Sequence, residues 1–151
     1  MLMPHLILFD SPDCPAGVDH ALGQTATSDV LGSNSFVGIP AHLTIPEACL
    51  FINRSLDTGP VVLITAGSRC LDLPAIARAQ AAAHRPIIGY SLISPIFPTS
   101  TDQWPQAPVT VYLPRSEDPE RLVSLRGYDI EHFSDSAELA KLILDQSLTT
   151  Q

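Results

Sequence analysis

The sequence predicts an α/β domain: a three-layer, mostly parallel sheet with helices on both faces. Three observations predict it. Short apolar runs (HLILFD, PVVLITA, PIIGYSLI, PVTVYL) alternate with segments of helical pattern, the order that joins parallel strands through crossover helices. These runs are apolar at nearly every position, as strands covered on both faces require. The chain is 151 residues long, 45% hydrophobic and only 16% charged, which is enough apolar material for one core; residues 1–151 read as a single domain.

His5–Asp10 is the first expected strand. Residues 11–43, rich in Gly, Pro, Ser and Asp, read as a long loop. Thr44-Ile-Pro-Glu47 has the form of a capping box, in which the Thr hydroxyl and the Glu carboxylate satisfy orphaned N–H groups at a helix start. Leu50, Phe51 and Leu56 supply part of that helix's apolar face, and Asp57–Gly59 ends it. Pro60–Ala66 is the second strand, followed by an alanine-rich helix through Ala83 with Pro74 in its first turns, where a missing N–H costs least. Pro86–Ile93 is the third strand. Residues 94–108 hold four prolines and the single Trp and cannot be regular structure. Pro108–Leu113 is the fourth strand, Gly127–Glu131 a short fifth, and Ser136–Gln146 an amphipathic closing helix.

Eight basic against sixteen acidic residues give a net charge of −8 with no Lys/Arg cluster, which argues against nucleic acid and anionic membrane surfaces. The apolar N-terminus lacks a basic region and an A-x-A-type site, and Asp10 cuts it short. It reads as a strand, not a signal peptide or a membrane span. Three scattered cysteines, Cys14, Cys49 and Cys70, form neither a CxxC pair nor a disulfide framework, and fit free thiols in a reducing cytoplasm. No histidine pair has metal-ligand spacing, and neither GxGxxG nor GxxxxGK[ST] occurs, so no metal and no cofactor is expected.

Three chemically useful residues follow expected strands: Ser68 after the second, Asp118 after the fourth, His132 after the fifth. Ligands of open α/β sheets bind at the carboxyl ends of strands. A nucleophilic serine needs a base to take its proton, and the base an acceptor to fix its tautomer. Ser68 lies in VVLITAGSRC, with the small residues Ala66 and Cys70 two positions to either side, as a sharp strand-to-helix turn demands. Each residue also has a plainer role: Ser68 and Asp118 as helix caps, Cys70 as a buried thiol, His132 as a surface histidine. Glu117 could stand in for Asp118, and Cys70 for Ser68. His5, His20, His42 and His84 are weaker candidates. Phe97, Trp104 and Tyr90 could line an apolar pocket, although packing is the more economical account.

On these residues the chain resembles the C-terminal portion of an α/β-hydrolase. LILFDSPDC resembles that family's strand ending in Asp-x-Pro-Gly, and LTIPEACLFINRSLDTGPVVLITAGS the helix and strand leading to its nucleophile elbow. PVTVYLPRSEDP resembles the strand ending in the triad acid, and DIEHF the segment with the triad histidine. The resemblance implies Ser68 as nucleophile, Asp118 as distal acid, His132 as general base and the Arg69 backbone N–H as one oxyanion donor. In a second alignment Gly67 occupies the nucleophile position, and the nucleophile is absent. The resemblance also implies a shortened sheet, without the His-Gly-type loop that gives the second oxyanion N–H.

Two functions from different classes follow. One is a small serine-hydrolase-like enzyme, an esterase, thioesterase or acyl transferase, acting on a small apolar acyl substrate. The other is a non-catalytic hydrolase-fold binding or accessory protein; a lyase or cyclase using His132 and Asp118 without a covalent step is a third. A shortened sheet leaves a hydrophobic edge at the first strand, so a homodimer, or pairing with a chain that completes the sheet, is expected.

Overall fold

The computed structural model describes residues 4–28, 36–96, 107–115 and 128–149, and within them six strands and four α-helices. In chain order these are β1 (His5–Phe9), α1 (Val18–Ser28), β2 (Phe36–Ile39), α2 (Ile45–Ser55), β3 (Val61–Ala66), a 3-10 turn (Gly67–Asp72), α3 (Leu73–Ala82), β4 (Ile87–Ile93), β5 (Val109–Pro114), β6 (Asp129–Phe133) and α4 (Ser136–Thr149). The strands form one sheet in the order β2-β1-β3-β4-β5-β6, and every described pairing is parallel.

Both faces of the sheet are covered. On one, Ile7, Phe9, Leu63, Leu92 and Val111 pack with Ala48 and Ile52 of α2 and Leu73 and Ile76 of α3. On the other, Leu6, Leu8, Ile64, Ile93 and Tyr112 pack with Val18 and Leu22 of α1 and Leu139 and Ile143 of α4. Successive strand residues alternate between these two cores, so the continuous apolar runs are the signature of burial on both sides. In β3 all six residues are buried.

The capping box opens α2 as the sequence requires. Glu47 N donates to Thr44 Oγ1 at 3.4 Å, and Thr44 N donates to Glu47 Oε1 at 3.1 Å. The Thr44 N–H, and after it the Thr44 hydroxyl donating to Glu47 Oε1 at 2.8 Å, hold the Glu47 carboxyl below its usual range. At the opposite end of the sheet Arg85 is buried. Its Nε donates to Gln80 Oε1 at 2.7 Å, and its terminal nitrogens reach Asn53 Oδ1 and, at 3.5 Å, the Leu56 carbonyl. The guanidinium thereby ties α3 to the carboxyl end of α2, where the helix dipole favours a cation.

Several expectations are corrected. Residues 11–43 are not one loop: they contain α1 and β2. The helical sequence VDHALGQTATS is poor in strong helix formers, and Val18 and Leu22 on one face hold it to the sheet. The first strand is not an edge, because β1 lies between β2 and β3; the outer strands are β2 and β6. The fifth expected strand sits two residues later, at Asp129–Phe133, which takes His132 into the strand. A 3-10 turn precedes the alanine-rich helix.

Candidate functional site at the carboxyl ends of the strands

From β1 the chain crosses to one side to form β2 and then returns to form β3 on the other side. The connections leaving β1 and β3 therefore diverge, and the switch point at which α/β sheets place their ligand crevice falls between them at the carboxyl ends. Residues 10–14 follow β1 there, and Gly67–Arg69 follow β3.

The first of these segments is a short, internally bonded turn. Asp10 N donates to the Ile39 carbonyl at 3.0 Å, which keeps the segment beside β2. Asp10 Oδ1 accepts from Ser11 N at 2.9 Å, Ser11 Oγ from Asp13 N at 3.3 Å, and the Ser11 carbonyl from Cys14 N at 3.1 Å. The result aims Asp13 across the crevice at β3.

There the backbone makes its sharpest turn. Gly67 has φ +56°, a left-handed conformation that costs an L side chain about 1–2 kcal/mol. Glycine is also required by space. A Cβ at position 67 would lie 2.2 Å from Asp13 Oδ2, 2.4 Å from its Cγ and 2.5 Å from its Cβ. The carboxylate of Asp13 thus fills the volume that a side chain at the elbow would take. It accepts from Ser68 N at 3.3 Å and, at the long limit of a hydrogen bond, from Ser68 Oγ at 3.5 Å.

Ser68 is exposed one residue beyond the left-handed position, with Asp13 as its hydrogen-bond partner. Arg69 turns away from the crevice. Its Nη2 donates to the Leu43 carbonyl at 3.0 Å, its Nη1 lies 3.6 Å from Asp72, and its guanidinium stands 5.9 Å from the centre of the Phe9 ring. The side chain latches the β2–α2 connection onto the end of β1. Cys70 is fully buried, with Sγ 3.1 Å from Thr65 Oγ1; burial pushes its thiol up to about 11 against the opposing Thr65 bond. A neutral, inaccessible thiol is no nucleophile, which removes Cys70 as an alternative. Cys14 is half-buried, and burial raises its thiol as well.

His132 is the penultimate residue of β6, level with Leu113 of β5. Three inter-strand spacings of about 4.8 Å separate β6 from β3, placing the His132 and Ser68 backbones roughly 14 Å apart. Alternation along β6 puts His132 on the side of Ile130, which packs with the α2/α3 core, while Phe133 packs with the opposite one. The structure does not bring His132 to Ser68. Asp118 and its stand-in Glu117 lie outside the described residues, as do Phe97 and Trp104; Tyr90 is buried in the α2/α3 core.

The chain matches no protein-family model and no curated protein. Among the described residues no three His, Cys, Asp or Glu side chains are grouped to hold a metal ion, and no helix is long and apolar enough to cross a membrane.

The residue that reading the sequence missed is Asp13. Its signal was present: an acidic residue just past a fully apolar strand. What the sequence did not supply was the partner, because Asp13 and Gly67 meet only through the sheet order.

Proposed function

We propose that this protein is a non-catalytic member of the α/β-hydrolase type, a binding or accessory protein in which the nucleophile position of the elbow is held by Gly67. One observation carries the reading: the single left-handed residue of the strand-to-helix turn is Gly67, and Asp13 fills the space its side chain would need. The strained point of such a turn is where the nucleophile belongs. With no side chain there, the crowding that demands small residues two positions away is relieved, and Thr65 and Arg69 stand at those positions. The N–H that would face an oxyanion, one residue past the elbow, is Ser68 N, which donates to Asp13.

Labelling with a fluorophosphonate probe tests the reading. The expected result is no covalent adduct on the intact protein by mass spectrometry. An adduct on the wild type that disappears in Ser68→Ala would overturn it, in favour of a serine esterase, thioesterase or acyl transferase with Ser68 as nucleophile.

A further inference from the structure

Helix α2 has an outward face that neither the sheet nor the elbow uses. Its inward face is set by Ala48 and Ile52, which are fully buried in the core of that side of the sheet. The opposite face carries Glu47, Leu50, Phe51 and Arg54, spaced i, i+3, i+4 and i+7, and all four are exposed. Leu50 is 56% and Phe51 38% exposed. Of the large apolar side chains exposed among the described residues, these two alone are chain neighbours.

The face reads the same from either end. Glu47 stands three residues before the apolar pair and Arg54 three after it, and they are the only charged residues of the helix. Turned end for end, it presents apolar to apolar and carboxylate to guanidinium. That is the condition for an isologous contact, in which one patch serves both subunits. The whole chain carries a net charge of −8, which repels a second copy over most of its surface. This face is neutral. The capping box engages Glu47 Oε1 and holds the carboxylate in place at the helix surface.

We propose that α2 is the contact face of a weak homodimer, packed antiparallel against α2 of a second copy about a twofold axis between Leu50 and Phe51. Leu50 then lies on the partner's Phe51, and Glu47 meets the partner's Arg54 on each side of the axis. A helix of 11 residues is about 16 Å long, so the pair buries less than a standard interface and the association is weak. Closure about the axis leaves no further copy of the patch open, so assembly stops at two.

Sedimentation equilibrium of the full chain, from about ten to several hundred micromolar because the contact is small, tests the proposal. The expected mass rises with concentration from 16.2 kDa toward twice that value. Every substitution counts twice at a twofold contact. Leu50→Ser should weaken dimerisation at least about tenfold through lost apolar burial. Arg54→Glu sets carboxylate against carboxylate at both ends and should also weaken it about tenfold, a loss that shrinks in high salt. Both positions are exposed, so neither variant threatens the fold. A chain that stays monomeric at the highest concentration overturns the proposal. A dimer that either substitution leaves unchanged overturns it too, and places the contact elsewhere, at the open side of β2 or β6.

Discussion

Placing a serine side chain at position 67 tests the packing on which the functional reading rests. Gly67→Ser puts a Cβ at φ +56°, which costs about 1–2 kcal/mol in backbone strain. It also collides with Asp13 down to that residue's own Cβ, at 2.5 Å, so rotating the carboxylate does not relieve the overlap. The whole 10–14 turn must move, weakening the Ser68 N bond to Asp13 and the turn's bonds to Ser11. That movement costs about 1–2 kcal/mol, the worth of one or two hydrogen bonds. The total is about 2–4 kcal/mol. In an Asp13→Gly background the collision partner is gone and only the backbone strain remains. Urea unfolding of the wild type, the two single variants and the double variant should give a coupling energy of about 1–2 kcal/mol. Costs that add to within about 0.5 kcal/mol would refute the idea that Asp13 occupies the elbow.

Three other outcomes follow from the same structure. Because burial raises Cys70 from 9.0 to about 11, the unfolded chain loses that proton first as pH rises, so stability should fall between about pH 9 and 11. The loss, of order 2–3 kcal/mol, should be absent from the pH profile of Cys70→Ala measured by urea unfolding. Arg85→Met leaves the buried Gln80 carbonyl without its donor and should cost about 2–3 kcal/mol, much of it recovered in Arg85→Met/Gln80→Leu; no recovery would count against the clamp. If another copy covers the open side of β2 or β6, light scattering at micromolar concentration should give twice the 16.2 kDa chain mass, whereas the monomer mass would rule that pairing out.

What was legible in the sequence was what periodicity and local chemistry specify. The strands at β1, β3, β4 and β5 announce themselves because both their faces are buried, and α2 because Thr44 and Glu47 are three residues apart on a capping box. The elements that escaped are those whose stability comes from elsewhere in the fold. Helix α1 has weak propensity and is held by Val18 and Leu22 against the sheet, and β2 is four residues whose register comes from β1. Ser68 and His132 follow in an order that suggests cooperation. Order along the chain says nothing about lateral distance, however, and three strand spacings lie between them.

The same limit decides how the crevice is to be understood. An attacking serine generates negative charge on the substrate oxygen, and that charge must meet donors already in place. Beside Ser68 Oγ stands the Asp13 carboxylate instead. Two unit negative charges about 4 Å apart repel by roughly 4 kcal/mol at an effective dielectric of 20, a rate penalty near a thousandfold. Moving Ser68 closer to a base would not mend this, because the repulsion comes from Asp13. A neutral or cationic group entering the crevice meets no such repulsion. The sign of the charge at the elbow, more than any single distance, therefore favours binding over acyl chemistry at this end of the sheet.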